Sequence, residues 1–365
     1  MQRNPFKPTA GKTPPIIIGR ESVLEEFAEG LENGPGAPGR LMRISGVRGT
    51  GKTVLLGEIE RIAKSQGWVV VDEVATEGLC QRIVGALVSK SRIKQAKLEP
   101  SLMGVSLGSL DIERIGPTLR EAMAAAIERN GHGLLITLDE VQDAVIDEVR
   151  TLSIAIQQLI GDDLDIAFVF AGLPSMVEGV INGKTLTFLR RALPFELKAV
   201  DIADVEVSFE ETMGETGMSL DGTTAGVLAN ASHGYPFMIQ LVGYYAWQQA
   251  KRAKQDKVGP AEAQRGIKVA RERFDATVIE PALQRVSPLG IEYLLTMAED
   301  GQVSSSSAIA KRLGKTLAQL STTRAKLLAD SLIEAPGYGK VAFAIPYMAE
   351  YLNVHREELR AALLD

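Results

Sequence analysis

The sequence predicts an α/β chain: a parallel-sheet core, then an all-helical unit, then a small unit of helices and a hairpin. Three observations predict it. Short runs apolar on both faces, at Leu41–Ser45, Trp68–Val71, Leu134–Leu138 and Ile166–Ala171, alternate with helical patterns, as the buried strands of a parallel sheet do. Between Asp201 and Gln284 no convincing strand is seen, and helical periodicity runs over 203–213, 221–231, 236–252 and 261–283. From Val286 onward, helices at 289–298, 308–313 and 317–329 precede two apolar runs, Leu332–Ala335 and Val341–Ile345, that flank Pro336-Gly337-Tyr338-Gly339-Lys340, a hairpin signal.

The chain has 365 residues, roughly two to three domains at about 150 residues each. The expected division is 1–35 for an N-terminal arm and the Ile17–Glu21 box taken up below, 36–200 for the sheet core, 201–284 for the helical lid and 285–365 for the last unit. A 45% hydrophobic and 24% charged composition supports packed cores. A net charge of -6 argues against a partner held by bulk positive charge, though not against a local basic patch. With one cysteine, Cys80, no intramolecular disulfide forms, and with three histidines a Cys/His zinc site is not expected. The cysteine usage fits a reducing cytoplasm, and no apolar run reaches the roughly 18 residues of a membrane span. Residues 1–15 hold four prolines and three basic residues and read as a flexible or extended arm.

Within the core, Gly46-Val47-Arg48-Gly49-Thr50-Gly51-Lys52-Thr53 follows the first strand and opens a helix. The glycines let the backbone turn its N–H groups toward phosphates, and the helix adds its N-terminal dipole. Lys52 is placed to reach the β- and γ-phosphates and Thr53 to hold Mg²⁺. The pattern predicts a P-loop NTPase core. A later apolar strand ends in Asp139-Glu140, at the edge where nucleotides lie in such sheets. Asp139 is expected to orient the Mg²⁺ and Glu140 to polarise the attacking water.

The order of these segments resembles the AAA+ ATPases over nearly the whole chain, in particular the clade around origin-recognition initiators and archaeal-type ATPases. The resemblance implies ATP and Mg²⁺ as cofactors. It implies a nucleotide-facing box at Ile17-Ile18-Gly19-Arg20-Glu21, with Ile18 and Gly19 beside the base. It makes Ser175 a candidate for the first sensor, and Arg190 and Arg191 candidates for an arginine finger acting on a neighbouring copy. Where the family's second sensor has an arginine, this chain reads Ser232-His233-Gly234-Tyr235-Pro236-Phe237. That arginine is absent, and the Gly-x-Pro resembles the STAND signalling ATPases, with Pro236 at the nucleotide.

The three helices and hairpin of the last unit describe a winged helix. Residues 308–329 carry Lys311, Arg312, Lys315, Arg324 and Lys326 and no acidic residue. Gln319, Ser321, Thr322 and Arg324 fall early on the helix expected to meet DNA, and Lys340 stands at the wing. Two functions therefore stay open. One is an ATPase acting on duplex DNA, as a homo-oligomer if the finger is used. The other is a STAND-like switch whose winged helix binds protein, which would not need DNA.

Overall fold

A computed structural model of the chain describes residues 3–9, 17–98, 118–174, 177 and 187–363. The core sheet has five parallel strands: β1 (Leu41–Gly46), β2 (Val69–Val74), β3 (Leu134–Asp139), β4 (Ile166–Gly172) and β5 (Leu193–Leu197). Their order across the sheet is β2-β3-β4-β1-β5. The side-chain period of two divides the strands between two faces. Leu134, Ile136 and Leu138 of β3 join Phe168 and Phe170 of β4 in one core, under α3 (Leu79–Leu98), α4 (Leu119–Asn130) and α5 (Ile146–Gly161). Leu135, Ala167 and Val169 face the other way, into a core with Phe27 of α1 (Glu21–Glu32) and Leu55 and Ile59 of α2 (Lys52–Ser65). Both faces are covered, which is why these strands read as unbroken apolar runs.

The fifth strand departs from the sequence reading, which placed four strands in the core. Pro194 weakens the strand pattern of Leu-Pro-Phe-Glu-Leu, and proline is tolerated on an edge strand, where one row of backbone groups faces away from the ladder. β5 is that edge, paired only with β1.

The lid is built from α6 (Ile202–Gly214), α7 (Gly222–Ser232), α8 (Pro236–Arg252) and α9 (Pro260–Phe274). Asp201 and Asp221 cap α6 and α7 through their side chains. Contrary to the all-helical expectation, two-residue strands β6 (Ser219–Leu220) and β7 (Lys257–Val258) pair here. The N-terminal arm is extended and docked along residues 3–9. Phe6 is buried against Gly243 and Phe209 of the lid, and the Lys7 amide donates to Gln240 Oε1 over 2.9 Å.

α9 runs through a π-helical turn (Asp275–Ile279) into α10 (Glu280–Leu283) and so into the last unit. That unit is α11 (Pro288–Ala298), β8 (Val303–Ser305), α12 (Ser306–Arg312), α13 (Leu317–Ala329), β9 (Ile333–Glu334) and β10 (Lys340–Phe343), closed by α14 (Met348–Val354) and α15 (Arg356–Ala361). β10 lies between β8 and β9, antiparallel to both. Helix, strand, two helices and a two-stranded hairpin is the element order of a winged helix. Its first strand takes Ser304 and Ser305, the first two of four consecutive serines.

Lid and last unit share one hydrophobic core, in which Phe274, Ile279 and Leu283 pack with Leu294, Met348 and Leu352. Tyr347 fixes the junction: its hydroxyl donates to Ala231 O over 2.6 Å, its ring lies 4.0 Å beneath the Arg271 guanidinium, and His233 meets it edge-on.

The core and lid meet at Gly234. The Val200 amide donates to Gly234 O over 2.7 Å, φ at Gly234 is +66°, and a Cβ there would lie 2.0 Å from Val200 O. Gly234→Ala is therefore expected to destabilise the protein by about 2 kcal/mol or more, from left-handed backbone strain and a backbone clash together. Urea unfolding of the two proteins side by side measures it; an unchanged midpoint would contradict this account of the junction.

Candidate nucleotide-binding site

The loop Gly46–Thr53 joins β1 to α2 at the C-terminal edge of the sheet. Gly49 and Gly51 have φ of +79° and +89°, so the curl that aims amides inward needs glycine at both places. The Lys52 ammonium is folded back into the loop, donating to Gly46 O over 2.9 Å and Val47 O over 3.1 Å. Burial pulls its pKa down, and the carboxylates of Glu140 and then Asp139 oppose that fall. A charged amine held among carbonyls beside two acids is ready to exchange these partners for phosphate oxygens.

Across the loop, Thr53 Oγ1 donates to Asp139 Oδ2 over 2.6 Å. This joins the start of α2 to the end of β3 and sets two hard oxygens together, the donor type Mg²⁺ takes. Glu140 follows with φ of +54°, its amide bonded to Asp139 Oδ1 over 2.8 Å. That left-handed turn takes its side chain out of the strand direction and into the cavity wall. Burial first, and the Asp139 charge second, push the Glu140 carboxyl above its ordinary pKa, against the pull of Lys52 and Arg48.

The cavity is about 370 Å³ and has two halves. Arg48 to Thr53 and Glu140 make the polar half. Ile17, Ile18, Val200, Pro236, Phe237, Ile239, Val278 and Ala282 make the apolar half, the surface a flat base requires. The lid reaches the loop directly: the Phe237 amide donates to Gly49 O over 3.3 Å, and the buried Tyr235 ring lies against Gly49.

The geometry thus brings together Ile18, Arg48, Gly49, Thr50, Gly51, Lys52, Thr53, Glu140 and Pro236 around one cavity, with Gly46 and Val47 beneath it and Asp139 at its edge. Gly19 stands just outside, its amide on Glu21 Oε1. Arg20 faces the cavity but is tied to Lys198 O over 2.7 Å. Arg190 and Arg191 are exposed in a 3₁₀ turn (Thr187–Arg191) ahead of β5, at the sheet edge away from the loop. They do not reach the cavity of their own chain. Ser175 lies outside the described residues.

Sequence reasoning missed part of the wall. Thr277 and Val278 enter the cavity from the π-helical turn, and Lys7 and Thr9 from the docked arm. Neither signal exists in a helical pattern or a proline-rich stretch.

Residues 17–161 match the family described as AAA ATPase domain. The match spans the phosphate loop and the strand that ends in Asp139. Residues 276–352 match a second family, described as Domain of unknown function (DUF8462). Over the whole chain the fold is similar to that of several solved structures. The ORC2 protein of Aeropyrum pernix, in its ADPNP-ADP complexes, is 15% identical with a TM-score of 0.68, covering 98% of this chain and 98% of that one. A Walker-type ATPase of Pyrococcus abyssi is 17% identical with a TM-score of 0.67, covering 92% and 96%. Cdc6p from Pyrobaculum aerophilum is 13% identical with a TM-score of 0.51, covering 98% and 98%. At such identities the likeness is one of fold. No curated protein matches the chain. Among the described residues no helix is long and apolar enough to cross a membrane.

In the last unit the basic residues divide. Arg312 is committed within the unit: it pairs with Asp300 over 2.5 Å and donates to Thr296 O. Its side chain is nevertheless exposed, on the same helix as Lys311. Gln319 closes a capping box with Thr316, and the Ser321 hydroxyl turns back to Ala318 O. Arg324 is half-buried, with its Nε enclosed. Lys311, Lys315, Thr322 and Lys340 are exposed.

Glu140 yields a stability prediction. Its carboxyl binds a proton more tightly folded than unfolded, so its ionisation at neutral pH opposes folding. Glu140→Gln should raise the thermal midpoint of the nucleotide-free protein at pH 7. The gain should shrink as pH falls through the raised native value and vanish near the ordinary value of about 4.3. Scanning calorimetry from pH 4 to 8 measures it, and a lower midpoint at pH 7 would contradict it.

Proposed function

We propose that the chain binds Mg-ATP in this cavity, hydrolyses it, and acts on duplex DNA through its last unit, with the nucleotide state setting the arrangement of lid and last unit. The observation that carries the proposal is one cavity in which a complete phosphate loop, an acid pair and an apolar pocket converge. The base lies between Ile18 and the Pro236 side of the lid. The loop amides and Lys52 hold the phosphates. Thr53 and Asp139 would hold a Mg²⁺ ion, which would supply charge neutralisation to the phosphates. Glu140 orients a water at the γ-phosphate and takes up its proton as the bond forms. A copy of the chain placing Arg190 or Arg191 at a neighbour's site accounts for the position of that pair, and makes the active form a homo-oligomer.

The coupling has a path. The lid touches the loop at Gly49 and the last unit at Tyr347, and the π-helical turn between them lines the cavity. A nucleotide pressing on Val278 would therefore act on the helix that carries the last unit. DNA contact rests on the exposed Lys311, Lys315 and Lys340 on a winged-helix element order. The shared core of lid and last unit favours one second reading, a STAND-like switch that presents the unit to a protein.

Lys52→Ala is expected to abolish binding of a fluorescent ATP analogue. Glu140→Gln should bind ATP and hydrolyse it about 100-fold or more slowly, losing the acid limb that wild type shows above the ordinary carboxylate range. Normal turnover by Glu140→Gln would overturn the role of that residue.

Duplex-DNA anisotropy in ATP-Mg and ADP-Mg across a salt series tests the partner. Wild type should bind with a salt-dependent affinity that differs between nucleotides. Lys311→Ala/Lys315→Ala/Lys340→Ala should flatten the slope by about 0.9 for each phosphate that these lysines neutralise. Arg312→Ala should leave the slope alone and lower stability instead. No binding in either nucleotide at low salt would move the assignment to the protein-directed switch.

A further inference from the structure

The lid contributes no charge to the cavity. Its wall residues are Pro236, Phe237, Ile239 and Gln240, with Thr277 and Val278 beyond. The start of α8, where an arginine would reach the phosphates, is filled by Tyr235, Pro236 and Phe237 docked on Gly49. An ATPase whose lid brings no cation needs another charge for the developing negative charge at the γ-phosphate.

Among the described residues four cations line the cavity: Lys7, Arg20, Arg48 and Lys52. Three are occupied. Lys7 Nζ donates to Asn4 O, Arg20 to Lys198 O and Gly19 O, and Lys52 to Gly46 O and Val47 O. Among the described residues Arg48 alone of the four has neither a side-chain hydrogen bond nor an ion-pair partner. It sits within the loop, one residue before Gly49, and that glycine is held from behind by the Phe237 amide and the Tyr235 ring. The backbone that carries Arg48 is therefore fixed by the lid.

We propose that Arg48 is a catalytic residue acting in cis, its guanidinium binding the γ-phosphate of ATP on the side of Glu140 and serving in place of the lid arginine that this chain lacks. Electrostatics agree with that side: the Arg48 charge bears on both Lys52 and Glu140, lowering the pKa of each. A planar five-donor group suits a terminal phosphate with three equatorial oxygens. In hydrolysis the water oxygen bonds to the γ-phosphorus as the bond to the bridging oxygen breaks, ADP leaves with that electron pair, and Glu140 takes the water proton. Arg48 transfers nothing; it stabilises the charge on the transferring group. The lid then governs hydrolysis without touching phosphate, because docking on Gly49 sets where Arg48 points.

The proposal rests on the ATPase reading of the site, and its test separates the two. Arg48→Ala and Arg48→Lys are compared with wild type by steady-state hydrolysis and by titration with ADP-Mg and with a non-hydrolysable ATP analogue. Arg48→Ala should lower kcat about 100-fold or more, leave ADP affinity within about twofold, and weaken the triphosphate analogue about tenfold. Arg48→Lys should recover part of both losses. Equal loss of ADP and analogue affinity, or a kcat within threefold of wild type, would overturn it. A mixture of Arg48→Ala with Glu140→Gln should stay inactive, because neither chain holds a complete site; restored turnover would place Arg48 in trans and overturn the cis assignment. Should wild type bind ATP without hydrolysing it, the ATPase reading fails on its own. The analogue-to-ADP affinity ratio then decides Arg48 alone: a tenfold fall in Arg48→Ala supports phosphate contact, and no change overturns it.

Discussion

The contact between Gly49 and the start of α8 is the constraint on which the rest of the molecule depends. A phosphate loop needs positive φ at Gly49, and a helix needs its first amides satisfied; here one hydrogen bond, from the Phe237 amide to Gly49 O, serves both needs. Pro236 at the first helical position has no amide to leave unpaired. Tyr235 fills the space that a side chain on residue 49 would take. Loop and lid therefore form one packed body around the cavity, and neither shifts alone.

From that contact the packing runs to the last unit with little slack. Tyr235 meets Phe274 edge-on at 5.5 Å, and Phe274 meets Tyr347 at 6.5 Å. Tyr347 is held by a hydrogen bond, a cation above its ring and a histidine at its edge. Aromatic groups packed in this way have few alternative arrangements, so a shift at one end is passed on or resisted as a whole. The π-helical turn is the place where this body yields. Its five residues, from Asp275 to Ile279, leave the α-helical ladder between two well-packed segments, and the same turn lines the nucleotide cavity.

How far the sequence could be read follows from how local the physics is. The phosphate loop, the strand ending in Asp139-Glu140 and the four apolar strands were legible because each answers a requirement met within a few residues: inward amides, an acid at a strand end, two buried faces. The fifth strand was hidden by Pro194, tolerated only because the strand is an edge. The docking of residues 3–9 was illegible because it depends on Phe6 meeting Gly243, far along the chain. The cavity wall at Thr277 and Val278 comes from a helical irregularity that leaves no periodic trace.

Charge was the least legible property, and the two ends of the molecule explain why. A run of basic residues in sequence does not say which of them is committed to its own fold. Arg312 and Lys311 stand side by side and are both exposed, yet the Arg312 guanidinium is bonded to Asp300 and Thr296 O. In the cavity the same reasoning works in reverse. Lys7, Arg20 and Lys52 satisfy carbonyls of their own chain, and Arg48, at a variable position of the loop pattern, has only the longer-range pull of Glu140. The Arg48 charge is opposed by Lys52 and drawn by Glu140, and an anion lying between the two cations would satisfy both. The phosphate chain of a nucleotide is the anion that this loop geometry is built to receive.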